Sequence, residues 1–316
     1  MRILFCGDCF PAARDLLKER LPVEQRDEIL TCKGADLRTA VGSADVVIPM
    51  MTILDEELLN AGRVRLVQQW GSGLEGVDLE AARARDTCVA NVPSAGSNAD
   101  SVAEHILLLM LALLRQLPSA LSNVRQEVLG APLGRTLAGR TVCLYGLGFT
   151  AHALARRLRA FDVRLIGITC RPDATRAVEF GLDRCFNSEE RDAALTQTDI
   201  LVVCVRLAHQ TRGLIDAAAL AVLPAGAYLV NAARGAIVDY KGLYDALVSG
   251  RLGGAGLDVG WIEPIPSYDS LLALPNVIAT PHVAGVTDRS YNGIADAVAC
   301  NIERLRCGVP PLNRVV

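Results

Sequence analysis

The sequence carries little net charge and lacks a long apolar run. It has 32 lysines and arginines against 35 aspartates and glutamates, a formal net charge of −3 over 316 residues. No strong field is therefore present to hold nucleic acid or an anionic membrane. The longest apolar run, Ile106 to Leu114, is shorter than the ~20 residues that cross a bilayer, and predicts a buried helix. Met1 to Phe5 is typical of a strand rather than a signal peptide, so we expect a cytoplasmic protein.

The sequence also lacks a second cysteine or histidine pair that would complete a metal site. The sequence has ten cysteines, and two of them, in Cys6-Gly7-Asp8-Cys9, have C-x-x-C spacing. A zinc site needs two further ligands, and a redox pair needs an acidified thiol at a helix start. We therefore predict no metal, and we interpret Cys6 and Cys9 as ordinary cysteines at the end of the first strand.

Short apolar runs alternate with helical stretches between residues 141 and 280. This pattern indicates a parallel sheet covered on both faces, and six such strands fit the doubly wound dinucleotide-binding order. The predicted strands are Thr141–Gly146, Arg164–Cys170, Asp199–Val205, Ala227–Ala232, Gly254–Val259 and Val277–Thr280. The predicted helices are Ala151–Ala160, Glu189–Thr196, Ala217–Leu223 and Tyr240–Ser249.

The first hundred residues repeat the pattern more weakly and predict a second, smaller α/β domain. Its predicted strands are Ile3–Cys6, Asp45–Pro49, Arg65–Gln69 and Val89–Val92, and its helix pieces are Asp55–Ala61 and Leu79–Arg85. Ser101 and Glu104 have the spacing of a capping box ahead of the long apolar helix. A last helix, from about Asp288 to Arg306, is expected to return the chain to the first domain. We therefore predict a substrate domain formed by residues 1–97 and the return helix of 288–316, with a dinucleotide-binding domain at 98–287.

A glycine-rich turn follows the first strand of the larger domain. Gly146 and Gly148 open the pattern G-x-G-x-x-A, which ends at Ala151. The first glycine permits a tight turn, the second lets the backbone approach a pyrophosphate, and the small third residue keeps the helix close to the strand. In this strand–turn–helix context the motif predicts dinucleotide binding.

The end of the next strand indicates which dinucleotide is bound. NAD enzymes usually carry an acidic residue there, whereas this sequence has Thr169, followed by Arg171. Thr169 can donate a hydrogen bond to a 2′-phosphate and Arg171 can pair with it, and Arg206 is a further candidate for the same pocket. We predict NADP as the preferred cofactor, and NAD stays the alternative if Arg171 is only a solvated surface residue.

Three later strand ends carry residues suited to the reduction of a keto acid. Arg234 follows one strand, Glu263 lies in the next strand-end loop, and His282 follows the last strand. Arginine can hold a carboxylate and polarise a carbonyl, and histidine can protonate the alkoxide that forms. A carboxylate beside the histidine stabilises the imidazolium.

With these motifs the sequence resembles the D-isomer-specific 2-hydroxyacid dehydrogenase family, in particular its glyoxylate/hydroxypyruvate reductase-like members. The stretches that carry the resemblance are Asn91–Pro93, Ser101–His105, Gly146–Gly148, Gln210–Ile215, Asn231–Asp239, Asp258–Pro264 and Thr280–His282. The resemblance implies that Arg234, Glu263 and His282 are the catalytic set. It also implies that Trp70–Leu74 binds the substrate carboxylate through backbone amides, with Ser72, Gly73 and Leu74 as the contacts beside Arg234 and His282.

The resemblance further implies the remaining cofactor contacts and the assembly. Besides the residues named above, the implied cofactor contacts are Phe149, Thr150, Ala232, Ala233, Arg234, Asp258, His282 and Gly285. A homodimer that acts on a small 2-keto or 2-hydroxy acid is expected. Pattern and resemblance together predict an α/β fold of two Rossmann-like domains, in which a doubly wound parallel-sheet dinucleotide-binding domain is inserted in a smaller flavodoxin-like substrate domain.

The sequence departs from the family pattern at the acidic position taken by Thr169, at Arg206, where a proline is common, and in residues 129–133, where a tryptophan is often found. Trp261 is a candidate to close the pocket instead of that tryptophan. His105, His152 and His209 are interpreted as structural. Two alternatives remain, a dinucleotide-sensing transcriptional co-regulator on the same scaffold and a phosphite-type dehydrogenase.

Overall fold

The computed structural model describes every residue from Met1 to Val316. The chain divides into two compact units, one formed by Met1–Asn98 with Thr287–Val316 and the other by Ala99–Val286. The second unit is therefore inserted in the first along the sequence. The functional names given above to these segments stay predictions.

Twelve strands and twelve helices make up the chain. The strands are β1 (Arg2–Cys6), β2 (Glu28–Cys32), β3 (Val46–Ile48), β4 (Leu66–Gln68), β5 (Cys88–Ala90), β6 (Thr141–Tyr145), β7 (Arg164–Thr169), β8 (Arg184–Asn187), β9 (Ile200–Val203), β10 (Ala227–Asn231), β11 (Leu252–Leu257) and β12 (Val277–Ala279). The helices are α1 (Pro11–Arg20), α2 (Leu37–Gly42), α3 (Glu56–Leu59), α4 (Leu79–Ala84), α5 (Ser97–Leu114), α6 (Leu117–Arg125), α7 (Phe149–Leu158), α8 (Ala174–Phe180), α9 (Arg191–Leu195), α10 (Ala217–Val222), α11 (Tyr240–Val248) and α12 (Asp288–Arg306).

The smaller unit is built on a five-stranded parallel sheet in the order β2-β1-β3-β4-β5. This is the flavodoxin-like order, and it confirms the predicted fold class. The tail of the chain pairs with β5 through an antiparallel bridge between Ala90 and Arg314. Sequence analysis missed β2, since this edge strand buries none of its five residues fully and shows no clear alternation.

The larger unit contains a seven-stranded parallel sheet in the order β12-β11-β10-β9-β6-β7-β8. Apolar clusters cover both faces, one around Ile166 and Leu229 and the other around Val142 and Leu154. All six strands predicted here are present, and each ends one or two residues before its predicted end. The prediction missed β8, a four-residue edge strand in which Phe186 alone is buried.

Helix α5 packs in the core of the larger unit. It begins at Ser97, so the predicted capping box at Ser101 is wrong, and Ser101 lies inside the helix at 7% exposure. By length and composition alone α5 could cross a membrane, yet half of its residues are buried inside the protein. The core helix of a globular protein passes the same test, and the burial of Ile106, Leu109 and Met110 fits the predicted buried helix.

Candidate active site

Arg234 lies in the turn that follows β10. The side chain of the fully buried Asn231 shapes this turn, because it accepts a hydrogen bond from the N–H of Ala233 and donates one to the carbonyl of Arg234. The next residue, Gly235, approaches the neighbouring loop so closely that a Cβ there would clash with the carbonyl group of Gly260. The glycine therefore allows the loop of Arg234 to lie against the loop that carries Glu263.

Glu263 is held between a backbone amide and an imidazole. Its Oε1 accepts the N–H of Gly260 at 2.9 Å, and its Oε2 lies 2.6 Å from Nδ1 of His282. Burial raises the pKa of Glu263, but the hydrogen bond and charge of His282, the N–H of Gly260 and the charge of Arg234 together lower it below its usual value. Glu263 is therefore ionised at neutral pH.

His282 has an unusual backbone conformation for a residue other than glycine. Its φ is +55°, in the left-handed region, and its side chain is 26% exposed. Its N–H donates to the carbonyl of Asp258 at 2.8 Å, and the Asp258 carboxylate accepts the next two amides, those of Val283 and Ala284. Asp258 is 1% exposed. The segment that carries His282 provides these hydrogen-bond partners of its carboxylate. The predicted contact between Asp258 and the cofactor stays a prediction.

The glycine loop has the geometry of an anion site. Gly146 has a φ of +101°, and a Cβ there would lie 2.8 Å from the backbone of Cys204 and Val205. Helix α7 begins next, and the amides of Phe149, Thr150 and Ala151 donate to no acceptor in the protein. Free amides at the start of a helix favour the binding of phosphate. A Cβ at Gly148 would have no protein atom within 4 Å, so the space beside this glycine is open. The loop therefore fits a dinucleotide pyrophosphate, with the buried Ala151 packing the helix on the sheet.

The residues predicted to bind a 2′-phosphate lie at or just after the ends of β7 and β9. Thr169 is half-buried, and its hydroxyl accepts the N–H of Arg171 at 3.3 Å. The Arg171 and Arg206 side chains are exposed, and their guanidinium groups make no hydrogen bond or ion pair in the protein. In sheet order β6 separates β7 from β9, and the predicted pocket shared by Arg171 and Arg206 stays a prediction. Ala232, Ala233 and Gly285 are half-buried and follow β10 and β12.

The loop from Trp70 to Leu74 in the smaller unit presents free backbone amides. The N–H groups of Ser72, Gly73 and Leu74 donate to no acceptor in the protein. Gln69, which sequence analysis did not single out, holds the loop by donating to the carbonyls of Met50 and Gly73 and accepting the N–H of Trp70. The predicted contact between these amides and a substrate carboxylate stays a prediction.

Several other candidates take structural positions. The Trp261 indole donates to the carbonyl of Val238 and packs edge-on against Tyr240, contacts that support a packing role over pocket closure. Burial, aided by the neighbouring Cys32, raises the pKa of the Cys6 thiol to about 12, opposite to a reactive thiolate. No cluster of three metal-ligating side chains is present. His152 packs edge-on against Phe180.

The two sheets and the strand-end residues define an α/β protein of the two-domain, dinucleotide-binding class. Residues 107–284, more than half of the chain, match the family model described as "D-isomer specific 2-hydroxyacid dehydrogenase, NAD binding domain". The chain belongs to the D-isomer specific 2-hydroxyacid dehydrogenase family.

Three relatives illustrate the similarity. A D-3-phosphoglycerate dehydrogenase from Mycobacterium bovis is 35% identical over 270 residues, 83% of this chain and 50% of the relative, so the chain spans about half the length of that protein. A glyoxylate reductase from Pyrococcus furiosus is 31% identical over 310 residues, 94% of this chain and 90% of the relative. The crystal structure of an NADPH-dependent glyoxylate/hydroxypyruvate reductase from Sinorhizobium meliloti superposes with a TM-score of 0.82 at 32% identity, covering 100% of this chain and 97% of the other.

Proposed function

We propose that this protein is a D-isomer-specific reductase of small 2-keto acids that prefers NADPH. The observation that carries the proposal is the 2.6 Å contact between His282 Nδ1 and Glu263 Oε2, in a unit whose glycine loop offers free helix-start amides. This arrangement supports a proton donor in the same unit as the proposed dinucleotide site. The reduced nicotinamide, when bound, supplies the hydride that reaches the carbonyl carbon.

His282 is proposed as the general acid. Because Nδ1 contacts Glu263, Nε2 is the nitrogen left to protonate the carbonyl oxygen as it gains negative charge. The product is the 2-hydroxy acid, and the neutral imidazole regains its proton from water. In the oxidation direction the neutral imidazole accepts the hydroxyl proton. Ionised Glu263 fixes the ring through its contact with Nδ1.

Arg234 and the loop at 72–74 are proposed to bind the substrate. A guanidinium can pair with the carboxylate and polarise the adjacent carbonyl. The attraction that Arg234 exerts on Glu263 supports a place for its charge near the acid–base pair. The free amides of Ser72, Gly73 and Leu74 suit a carboxylate because they are donors with no competing acceptor. The match with a glyoxylate reductase over 90% of its length supports a small keto acid as the substrate class.

The preference for NADPH rests on the end of β7. Thr169 offers no carboxylate to repel a 2′-phosphate, and the guanidinium groups of Arg171 and Arg206 are exposed and uncommitted. The structural relative from Sinorhizobium meliloti is itself described as NADPH-dependent. NAD is the alternative cofactor.

The assembly is proposed to be a cytoplasmic homodimer. An apolar surface, here called the arm surface, is formed by Leu121, Val124, Val128, Leu129 and Leu133, and Leu129 and Leu133 are 99% and 91% exposed. Contiguous exposed apolar residues of this kind typically mark an interface. Burial against a second copy would remove this surface from water.

A substrate and cofactor panel tests the proposed function. Glyoxylate, hydroxypyruvate, pyruvate, phenylpyruvate and 2-ketoisocaproate, each with NADPH and with NADH, should show the highest kcat/KM for a small acid with NADPH. The products of the other four acids, which unlike that of glyoxylate are chiral, should be the D-isomers. A protein that binds the dinucleotide yet turns over none of these acids would contradict the proposal and favour a binding role. Turnover of phosphite alone would support the phosphite-type alternative.

A further inference from the structure

His105 is a partly buried histidine outside the proposed catalytic set. It lies in the middle of α5 with its side chain 13% exposed, and its Nε2 is 2.9 Å from Oγ1 of Thr280 and 3.4 Å from Oδ1 of Asp258. A buried polar group without a partner is destabilising. The sequence signal for this contact is absent, because 175 residues separate His105 from Thr280.

The direction of the hydrogen bonds follows from the number of protons. The Thr280 hydroxyl lies 2.6 Å from Oδ1 of Asp258 and has a single proton, which it donates to that carboxylate. Its oxygen therefore accepts at the other contact, and the donor there is Nε2–H of His105. The result is a chain that runs from His105 through Thr280 to Asp258.

Asp258 is the end of this chain and also the anchor of the catalytic segment. Its Oδ1 accepts the N–H of Val283, its Oδ2 accepts the N–H of Ala284, and its backbone carbonyl accepts the N–H of His282. Three consecutive amides are thereby fixed to a single residue of the β11 strand end. The orientation of the Asp258 carboxylate consequently sets the path of the backbone through His282.

The backbone at His282 needs such an anchor. A φ of +55° is sterically unfavourable for a residue with a Cβ and persists only where the surroundings determine it. If the anchor loosens, His282 can relax toward ordinary φ values, and its ring then leaves the position 2.6 Å from Glu263.

We propose that His105 and Thr280 are positioning residues which, through Asp258, hold His282 in its left-handed conformation and against Glu263. This proposal rests on the proposed function for its kinetic consequence, but not for its structural one. It assigns a role to a histidine that sequence reasoning interpreted as part of the helix alone.

Kinetics of matched variants test the first consequence. Thr280→Val keeps the shape and removes the hydroxyl, and His105→Phe keeps a ring and removes the donor. Each should lower kcat about tenfold or more while KM for the keto acid and the Kd for NADPH change less than about threefold. Thr280→Ser and His105→Gln retain the polar groups and should restore most of kcat. The double variant should lose no more than the worse single variant, because both act through one chain.

The control is His152→Phe, which removes another imidazole of the same unit that contacts Glu179 and Phe180 instead. It should leave kcat within about twofold of wild type. Loss of kcat in the control equal to that in His105→Phe would overturn the proposal.

Nitrogen-15 NMR of histidine-labelled protein tests the second consequence without any need for activity. The chain has four histidines, so the ring signals can be assigned by substitution. His105 should carry a proton on Nε2, and Thr280→Val should shift or broaden the signals of His282 while those of His209 stay in place. If neither signal of His282 responds in Thr280→Val, or if Nε2 of His105 carries no proton, the chain is refuted.

The two measurements separate the possible failures. A wild type that reduces no keto acid would refute the proposed function, and the NMR result would still decide the positioning chain. Circular dichroism shows whether Thr280→Val and His105→Phe fold. If they do not, the positioning chain is tested by the wild-type tautomer of His105 and by the signals of His282 in Thr280→Ser. Normal kcat in folded Thr280→Val would overturn the kinetic consequence.

Discussion

The His282 ring and the Glu263 carboxylate form a 2.6 Å contact, and the second oxygen of the carboxylate is occupied by the amide of Gly260. Both oxygens of Glu263 thus have a partner. This fixes the plane of the carboxylate and determines that it contacts Nδ1 of His282. A carboxylate held in this way restrains the rotation of the ring. The pair can therefore be separated experimentally into a charge effect and a geometric effect.

Glu263→Gln keeps the size and one acceptor but removes the charge. The carboxylate that lies 2.6 Å from Nδ1 of His282 then no longer offers a negative charge to the ring. We expect kcat/KM to fall about tenfold in both directions, as for the loss of a hydrogen bond to a charged group, measured with the same acid pair.

The control is His282→Ala, which removes the ring itself and should depress both directions at least as far. Unchanged kcat/KM for Glu263→Gln would mean that the glutamate only shapes the loop.

Arg234→Ala should remove most activity and leave the fold intact, because the lost interaction is with the substrate. We expect kcat/KM to fall at least about 100-fold, as for the loss of a charge-assisted hydrogen bond pair. Arg234→Lys should restore activity only in part, because lysine keeps the charge but not the planar fork. Near-normal kinetics of Arg234→Ala, with an unchanged circular dichroism spectrum, would indicate that the arginine only terminates the strand.

Arg171→Ala should raise KM for NADPH about tenfold or more and leave KM for NADH nearly unchanged, since only NADPH offers a phosphate to pair with. Thr169→Asp should add repulsion and shift the preference toward NADH. Arg164→Ala is the matched control, because Arg164 is an exposed arginine at the opposite end of the same strand. Equal use of both cofactors by wild type and by Arg171→Ala would refute this assignment.

Replacement of both Leu129 and Leu133 by glutamate should convert a dimer to a monomer. The two side chains are almost fully exposed in the single chain, and a charge at each would have to be desolvated in an interface. Light scattering after size exclusion gives the mass, which for wild type should be twice 33.7 kDa. Val23→Glu, at a residue 87% exposed in the other unit, should leave the dimer intact. A monomeric wild type would refute the arm surface as an interface.

The sequence was most informative where burial imposes a pattern. The central strands β6, β9 and β10 are buried at every position, so their apolar runs are unmistakable. The edge strands β2 and β8 were missed because hydrogen bonding to one neighbour, rather than burial, makes them strands. Strands were predicted to end too late where apolar or turn residues, such as Gly146, follow the last residue that hydrogen-bonds to the neighbouring strand.

The candidate site divides in the same way. Arg234, Glu263 and His282 could be found because each is a reactive residue type at a strand end. The contact between Glu263 and His282 was expected from their chemistry, but no distance could be predicted for it. The hydrogen-bond chain from His105 through Thr280 to Asp258 was not predicted. No local pattern encodes a contact between a helix and a loop 175 residues later. Gln69 was missed for a related reason, since its amide serves the backbone of its own loop.

A last relationship concerns stability in the smaller unit. The Asp27 carboxylate, 3% exposed, accepts hydrogen bonds from Arg306 at 2.6 Å and from the amino group of Met1 at 2.8 Å. Burial raises the pKa of Asp27, but the hydrogen bonds and charges of Arg306 and the Met1 amino group together lower it below its usual value. Arg306 is the last residue of α12, so this ion pair ties the end of that helix to the residue before β2.

Asp27→Asn should therefore destabilise the protein at neutral pH and not in acid. A carboxyl whose pKa is lowered by folding contributes stability that is fully present above its unfolded pKa of about 3.9 and is lost as the pH falls through the folded pKa. Loss of a hydrogen-bonded pair that is partly exposed on its arginine side costs about 1–2 kcal/mol, so the urea midpoint of the variant should lie below that of wild type at pH 7. The two midpoints should converge as the pH falls below 4. Asp15→Asn, which removes an exposed carboxylate paired with the adjacent Arg14, is the control and should change little at either pH. A difference between Asp27→Asn and wild type that is the same at pH 7 and in acid would mean that shape, rather than charge, is what Asp27 contributes.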